Sequence, residues 1–272
     1  MRCVIAGHLC RMPSNGKAFR RNALQLAWIF IGLSSAAAQA DWTVATVDSE
    51  PGRGGVEHRH LIFKNTSAGD RAVVDLAVFS PKFCTLHMID NPSGVTLAEL
   101  AGREAILAAV NGGYFDVDFA PIGLRITDGK TTARLQRGRL LSGLLATTSR
   151  SVQIMRLREF PPRPKLDAAV QCGPFLVDGG SPVRGLDGLR LARRTFAATS
   201  SDHRAALGVC SDVSLAQLAQ ILAIATHDFR ISRALNLDGG SSSAFWFARN
   251  AGGAFSIPEQ KPVRDFVAIV RE

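Results

Sequence analysis

A carboxylate followed by two glycines and three serines lies near the C-terminal end of the chain, in the stretch "LNLDGGSSS". Asp238 ends an apolar segment, a position that would hold it near the domain interior, where carboxylates are uncommon unless they are paired or functional. Gly239 and Gly240 let consecutive backbone N–H groups converge on an anion, and Ser241 and Ser242 add hydroxyl donors. The stretch is suited to holding a phosphate oxygen or a metal beside a carboxylate, and by spacing alone a tight type I′ hairpin turn is an equal alternative.

A second glycine pair lies in "NGGYFD", directly after the apolar run "AILAAV". Asn111 can donate and accept hydrogen bonds at once. Gly112 and Gly113 allow a sharp turn or a close approach of the backbone, and Asp116 follows a few residues later. Because Asn-Gly is also the strongest short hairpin signal, a plain turn and a polar site both stay open as interpretations.

Two further segments offer a rigid turn and a cation. In "QCGPFLVDGG", Gly173 precedes a proline at the start of an apolar strand, whereas we interpret the turn 178–180 as a surface hairpin. In "RRTF", Arg194 could recognise a phosphate or a carboxylate through its fork-shaped guanidinium. A solvated pair of arginines, Arg193 and Arg194, is the alternative.

Several other chemistries lack their sequence signals. No G-x-S-x-G elbow is present, which disfavours an α/β-hydrolase, and neither G-x-x-x-x-G-K-[ST] nor a G-x-G-x-x-G after a strand occurs. No cysteine and histidine residues are grouped at zinc spacing. We also expect His58 and His60 to lie on opposite faces of a strand and therefore not to share a metal site.

The elements that must position these motifs are mainly strands. Short runs of β-branched and aromatic residues, broken by Gly, Asn, Asp and Pro, predict strands at 42–47, 60–63 and 72–79, with more between 107 and 180. Many strands, few helices and no alternating βαβ pattern indicate an α+β fold. We expect a single domain with a large mixed, mostly antiparallel β-sheet and a few helices.

Two capping boxes predict the helices. In "TLAE" and "SLAQ" the first residue can accept from a free backbone N–H while the fourth reaches back to the amide of the first. The first box begins at Thr96 and predicts a short helix through Gly102 or Glu104. The second begins at Ser214 and predicts a longer amphipathic helix that ends near Phe229.

The N-terminal residues have the layout of a secretory signal peptide. Residues 1–40 contain five basic residues and no acidic residue. An apolar run at 24–33 and the small residues Ala38-Gln39-Ala40 follow the basic part. An uncleaved anchor is the alternative, which the short run and the A-x-A tripeptide disfavour. We expect residues 41–272 to be exported to the periplasm or the extracellular space, with no stable membrane insertion after cleavage.

Charge and cysteine content change once residues 1–40 are set aside. The formal net charge falls from +9 to +4, so the basicity of the whole chain does not indicate a nucleic-acid partner. Cys84, Cys172 and Cys210 remain. Their odd number leaves two alternatives open in an oxidising compartment, one disulfide with a free thiol or no disulfide.

Taken in order, the motifs resemble a known family. "NGGYFD", "QCGPFLVDGG", "RRTF", "LNLDGGSSS" and "KPVRDFVAIV" are similar to motifs of the phosphodiester glycosidase family, in the form of a bacterial exported member. The resemblance runs from about Leu107 to the C-terminus, and we expect 41–272 to form one phosphodiester glycosidase-like domain. It implies a hydrolase that cleaves the bond between the anomeric carbon of a sugar and a phosphodiester, releasing the sugar and a phosphomonoester. The implied partner is a glycosyl phosphodiester substrate.

The resemblance also implies roles for the motif residues. Asp238 would stabilise an oxocarbenium-like centre or place the nucleophile, with Asp116 as its partner and Asn111 bound to sugar or phosphate. The residues expected to bind substrate are Arg194, Gly239, Gly240, Ser241, Ser242, Gly112, Gly113 and Gly173. A divalent cation, Ca²⁺ or Mg²⁺, on Asp238 or Asp116 is left open.

Two other functions remain as alternatives to a hydrolase. The same pocket could belong to a non-catalytic envelope module that binds phosphorylated glycans without turnover. The glycine turns could also only close hairpins in a structural protein, in which case substitutions there would have the small effects usual for turn positions.

Overall fold

The computed structural model describes residues 42–148, 150–161, 165–224 and 229–272, and these belong to one compact unit. The predicted signal peptide lies outside the described residues. Within them, no helix is long and apolar enough to cross a membrane.

Strands dominate the described residues. They are β1 (Trp42–Pro51), β2 (Glu57–Asn65), β3 (Arg71–Phe79), β4 (Cys84–Asp90), β5 (Ile106–Asn111), β6 (Arg125–Thr127), β7 (Lys130–Ala133), β8 (Gly143–Thr148), β9 (Ser151–Arg156), β10 (Ala168–Cys172), β11 (Phe175–Asp178), β12 (Ser181–Pro182), β13 (Ala192–Ser200), β14 (Ala205–Val213), β15 (Ile231–Asn236), β16 (Phe245–Phe247), β17 (Phe255–Ile257) and β18 (Asp265–Arg271). Helix α1 spans Leu97–Arg103 and helix α2 spans Leu215–Ala223. Single 3₁₀ turns occur at Arg53–Gly55, Leu157–Glu159 and Gly240–Ser242.

The strands form three sheets. The largest has eight strands in the order β1-β2-β3-β14-β13-β15-β11-β12, and two five-stranded sheets have the orders β7-β6-β10-β8-β9 and β17-β16-β5-β18-β4. All the strand pairs described are antiparallel. The prediction of an α+β fold built on a large, mostly antiparallel sheet is therefore confirmed.

The largest part of the core lies between the sheets. Strands such as β5 and β13 are buried along most of their length, which is why they read as continuous apolar runs instead of alternating ones. One cluster of buried side chains draws on all three sheets; it includes Phe79, Val110, Leu145, Phe175, Leu235, Phe247 and Val267. A second cluster packs α2 against the outer face of the eight-stranded sheet. The chain is thus long enough to bury both faces of its largest sheet.

The two helices begin where their caps predict. In α2 both halves of the capping box form, because the Gln217 N–H donates to Ser214 Oγ at 3.1 Å and the Ser214 N–H donates to Gln217 Oε1 at 2.9 Å. In α1 the Glu99 N–H donates to Thr96 Oγ1 at 3.2 Å, but the Glu99 carboxylate pairs with Arg103 one turn further along. Only half of that box forms, because a charged partner at i+4 competes for the carboxylate.

The predicted end of α2 near Phe229 is wrong. The helix ends at Ala223, and its C-cap residue Ile224 has extended backbone angles, φ −71° and ψ 126°. The apolar residues that follow suggested that the helix continues, but apolar periodicity does not mark a helix end without a Gly or Pro signal.

The expectation that His58 and His60 lie on opposite faces of their strand is also wrong. Residues two apart on a strand project to the same face, and both imidazoles contact Oδ1 of Asp75 on β3, each at 2.9 Å. His58 Nδ1 additionally lies 3.1 Å from Glu50 Oε1. The two histidines therefore share one buried carboxylate.

The three cysteines of the described residues are free and buried. Their odd number allowed either one disulfide with a free thiol or no disulfide. The structure has no disulfide among these three cysteines. Cys172 ends β10 and is fully buried, and burial raises the pKa of its thiol.

Candidate functional site

The stretch "DGGSSS" connects two sheets and does not close a hairpin. It leads from β15 in the eight-stranded sheet to β16 in a five-stranded sheet. "NGG" likewise follows β5, whose chain continues to β6 in the other five-stranded sheet. The hairpin interpretation of both motifs is therefore wrong, whereas 178–180 does turn between paired strands, with Asp178 opposite Ser181. The two glycine motifs meet, because the Asp238 N–H donates to Gly112 O at 3.0 Å.

Asp238 is half-buried at this meeting point. Its Oδ1 accepts the Gly239 N–H at 3.0 Å, and the 3₁₀ turn Gly240–Ser242 follows. Burial raises the pKa of the Asp238 carboxyl above its usual range; the Ser242 side chain, the Lys261 ammonium and the Gly239 amide act in the opposite direction. A carboxyl group whose pKa is raised by burial is a candidate for a functional group.

Asn111 fastens the Asp238 turn to the sheets. It is fully buried, and its Nδ2 donates to the Asp238 carbonyl at 2.7 Å. Its Oδ1 accepts from Thr195 Oγ1 at 2.7 Å and from the Ala244 N–H at 3.0 Å. The resemblance implied that Asn111 binds sugar or phosphate, whereas in the structure its amide is hydrogen-bonded to protein groups and holds the Asp238 turn.

Gly112 and Gly113 lie against Asp265, the first residue of β18. The Gly112 N–H donates to the Asp265 carbonyl at 2.9 Å, and the Gly113 N–H donates to Asp265 Oδ1 at 2.8 Å. A Cβ on Gly112 would lie 1.8 Å from Asp265 Oδ1, so the absence of a side chain is what permits this approach. Burial raises the pKa of Asp265 to about 6, while the guanidinium of Arg125, with which it forms a buried ion pair, acts to lower it. Nothing in the sequence motifs indicated this pair.

Tyr114, the only tyrosine in the chain, joins the site to Gly173. Its hydroxyl donates to the Gly173 carbonyl at 2.5 Å, and Asn236 Nδ2 donates to the same carbonyl at 3.0 Å. A Cβ on Gly173 would lie 2.6 Å from the Leu140 carbonyl oxygen. The pKa of Tyr114 is raised, first by burial and then by the nearby Cys172 and Asp238, so the phenol stays protonated as a donor.

Asp116 is exposed and organises its own loop. Its Oδ1 accepts the N–H groups of Asp118 and Ala120 at 3.0 and 2.8 Å. Phe119, within this loop, has a positive φ of 64°. The structure thus uses the Asp116 carboxylate in an Asx-type turn, and among the described residues it makes no hydrogen bond to Asp238.

The two arginines of "RRTF" point to different partners. Arg194 is buried, and its Nε and Nη2 donate to the carbonyls of Val213 and Arg190 at 2.9 and 2.6 Å. Burial lowers its pKa. Arg193, on the neighbouring position of β13, donates from Nη2 to the carbonyl of Ser243 at 2.6 Å. Arg193 therefore reaches the serine turn directly, whereas two backbone carbonyls hold Arg194.

Lys261 is the cation that the sequence analysis did not single out. It is exposed, it acts to lower the pKa of Asp238, and its Nζ lies 5.1 Å from the ring centroid of Phe115. The preceding residue ties this loop to the site, because the Gln260 N–H donates to the Ser241 carbonyl at 2.8 Å. Lys261 is the first residue of "KPVRDFVAIV". A lysine in a loop is common, so only the fold shows that it lies near Asp238.

One hydrogen-bond donor at the turn lacks a well-formed partner among the described residues. Ser242 Oγ is buried without a well-formed hydrogen bond to any described residue, although it lies close enough to influence Asp238. Buried hydroxyls are nearly always paired with protein, water or ligand. Among the described residues no group of three or more His, Cys, Asp or Glu side chains is arranged to hold a metal ion. The turn therefore offers a buried hydroxyl donor close to the Asp238 carboxyl.

Comparison with known proteins identifies a protein family that matches this chain and solved structures that have a similar fold. The family model of phosphodiester glycosidases matches residues 104–270. The uncharacterized protein YigE of Escherichia coli strain K12 is 31% identical over 103 residues, which cover 35% of this chain and 38% of that protein, so the chain spans less than two thirds of this relative.

Two solved structures share the fold at low sequence identity. The catalytic domain of zebrafish N-acetylglucosamine-1-phosphodiester α-N-acetylglucosaminidase, auto-inhibited by its pro-peptide, aligns with a TM-score of 0.58 at 15% identity, covering 87% of this chain and 85% of that one. A hypothetical protein from Synechocystis aligns with a TM-score of 0.55 at 16% identity, covering 84% of this chain and 64% of that one. At these identities the likeness concerns the fold alone.

Proposed function

We propose, from the premise that this chain belongs to the phosphodiester glycosidase family, that it hydrolyses the bond between the anomeric carbon of a sugar and a phosphodiester. The products are the free sugar and a phosphomonoester. The observation that carries the proposal is the position of Asp238, a half-buried carboxyl with a raised pKa where the "NGG" and "DGGSSS" connections meet.

Asp238 is the residue we assign to the reacting carbon. A carboxylate beside an anomeric centre stabilises its oxocarbenium-like charge, or attacks it, or activates a water molecule. Because phosphate is a good leaving group, the reaction needs less general-acid assistance than hydrolysis of an alkyl glycoside. Asp116 remains our proposed second carboxylate, on the exposed loop that follows Tyr114, and Tyr114 supplies a protonated phenol near Asp238.

Several groups at the turn would hold the phosphodiester. Lys261 supplies a positive charge, and the buried Ser242 hydroxyl supplies a donor that needs an acceptor. The backbone of Gly239–Ser242 adds N–H donors, and Arg194 contributes charge from behind the turn. In this proposal Asn111, Gly112, Gly113 and Gly173 act by fixing the backbone that surrounds the substrate.

We further propose that residues 1–40 are a signal peptide and that residues 41–272 form the exported domain. The basic, apolar and small-residue segments of the first 40 residues support this assignment. Cell fractionation with N-terminal sequencing of the exported protein tests it, and a mature N-terminus at Asp41 is the expected result.

The test of the reaction is a turnover assay on purified residues 41–272. The protein is incubated with sugar-1-phosphodiesters that differ in the sugar and in the second ester group, in buffer containing Ca²⁺, Mg²⁺ or EDTA. Released sugar and phosphomonoester are measured by NMR. We expect stoichiometric release of both products from at least one substrate. Saturable binding without product over long incubation would instead support a non-catalytic module that binds phosphorylated glycans.

A further inference from the structure

A cavity with a largely apolar wall and a few polar side chains lies behind the serine turn, between the eight-stranded sheet and β17. It has a volume of about 210 Å³. Asp75 and Val209 line it from the sheet, Arg193 and Ser243 line it beside the turn, and Ile257 lines it from β17. Arg193 and Ile257 are only half-buried, so the cavity has an outer rim, whereas Asp75 and Ser243 are buried.

Two donors on the wall of this cavity are unpaired. Ser243 Oγ and Arg193 Nε are buried, and neither has a hydrogen-bond partner in the part of the chain that the structure describes. The other end of the Arg193 guanidinium is bonded, from Nη2 to the carbonyls of Ser243 and Pro258 at 2.6 and 3.1 Å. Leaving a buried donor unpaired costs about 1–3 kcal/mol. We therefore expect the cavity to bind a ligand with polar groups that accept from these donors.

The Asp75 carboxylate on the opposite wall restricts the charge of the ligand that the cavity can bind. Asp75 is 3% exposed, and its Oδ1 contacts the ring nitrogens of both His58 and His60. An anionic ligand would be repelled by this carboxylate, and a cationic one by Arg193. A neutral molecule with hydroxyl groups both accepts from Arg193 and Ser243 and donates to Asp75.

The size of the cavity sets the scale of that molecule. A volume of about 210 Å³ corresponds to about seven water molecules at about 30 Å³ each. It is smaller than the 300–1,000 Å³ of sites for drug-sized ligands. One sugar ring or a short polyol fits this space, and a nucleotide does not.

We propose that this cavity, lined by Asp75, Arg193 and Ser243, is a binding site for a single neutral sugar ring or polyol. Asp75 lies on β3, outside the part of the chain that matches the family model, residues 104–270. Asp238 does not line the cavity, so ligand binding there does not require turnover by the proposed hydrolase. Arg193 connects this cavity to the Asp238 turn. Its carbonyl oxygen is 3.0 Å from the position that a Cβ would take on Gly239, and its Nη2 donates to the Ser243 carbonyl.

The test is ligand-observed NMR with D-glucose, N-acetylglucosamine, myo-inositol and glycerol as probes, at millimolar concentration with purified 41–272. Ser243→Ala removes the unpaired hydroxyl, and Ser256→Ala is the matched control, because Ser256 is exposed on β17 next to the lining residue Ile257. We expect saturable binding of at least one probe, weakened about tenfold by Ser243→Ala and unchanged by Ser256→Ala. Asp75→Asn, which keeps the shape, is a second variant and should also weaken binding.

The outcomes separate this site from the hydrolase proposal. Binding should persist in Asp238→Asn, whatever that variant does to turnover, because Asp238 does not line the cavity. Absence of binding by all four probes, with a crystal structure showing only water on Ser243 Oγ and Arg193 Nε at high probe concentration, would overturn the proposal. Equal binding by the wild type and a folded Ser243→Ala variant would do the same.

Discussion

At the scale of single residues, the site depends on how Asp238 is charged. Burial favours the protonated carboxyl, whereas Lys261, Ser242 and the Gly239 amide favour the carboxylate. A carboxylate that acts on an anomeric centre must be ionised. Activity should therefore be lost as pH falls through the raised pKa of Asp238, at a higher pH than for an ordinary aspartate. Lys261 acts to lower the pKa of Asp238, and in the proposed function it also attracts the substrate phosphate.

Lys261→Met separates these two effects in one variant. Without the ammonium, the pKa of Asp238 rises further, so the acid limb of the kcat/KM profile should move to higher pH. Loss of a charged contact to phosphate should raise KM about tenfold or more. The measurement is a pH–rate profile beside Lys130→Met, an exposed lysine on β7. An acid limb and a KM that match those of the wild type would remove Lys261 from the site.

At the scale of elements, the glycine turns serve as crossings between sheets. Sequence patterns predicted the strands and the helix starts, because buried runs and capping residues are local signals. They could not distinguish a hairpin from a crossing, since both need glycine after a strand. Nor could they show which arginine of "RRTF" reaches the turn. That choice depends on the β13–β14 register, which shifts between Ala192 and Arg194.

Gly112→Ala tests the close approach of the crossing to Asp265. The new methyl would overlap Asp265 Oδ1 and disturb the hydrogen bonds of the turn. We expect a loss of about 1–3 kcal/mol in the free energy of unfolding, as for an overpacked core, measured by denaturant titration. Gly102→Ala in α1 is the matched control, because nothing lies within 4 Å of its Cβ position; it should be neutral or slightly stabilising. Equal stability of both variants would contradict the close-approach account.

At the scale of the whole molecule, a buried ion pair links two of the three sheets beneath the site. Arg125 belongs to β6 and Asp265 to β18, and both are 1% exposed. Two Arg125 nitrogens, Nε and Nη1, are buried without a partner in the described part of the chain. Such a pair is costly to desolvate, and breaking it by removing one partner is more costly still. Its position is a property of the assembled sheets, since the two residues are 140 positions apart in sequence.

Arg125→Met should make stability depend more strongly on pH than it does in the wild type. Losing the guanidinium raises the pKa of Asp265 above its value of about 6, while the unfolded value stays near the usual 3.8. A carboxyl whose folded pKa is raised is stabilising only while protonated, so the variant loses stability as pH rises from about 4 through the folded pKa. We expect a deficit of about 3–5 kcal/mol at pH 8 and a smaller one at pH 4.5, measured by urea unfolding. Arg103→Met, which breaks an exposed pair with Glu99, is the control and should show a small deficit at both pH values. A deficit for Arg125→Met that does not change with pH would contradict the assignment.

The most direct test of Asp238 as the reacting carboxylate compares Asp238→Asn with Asp178→Asn, using a sugar-1-phosphodiester that the wild type hydrolyses. Both aspartates precede two glycines, but Asp178 closes a surface hairpin and pairs with Arg156. We expect Asp238→Asn to keep the wild-type circular dichroism spectrum and to lose at least about a hundredfold in kcat, while Asp178→Asn keeps its activity. A folded Asp238→Asn variant with wild-type kcat would contradict the claim that this carboxylate performs the chemistry.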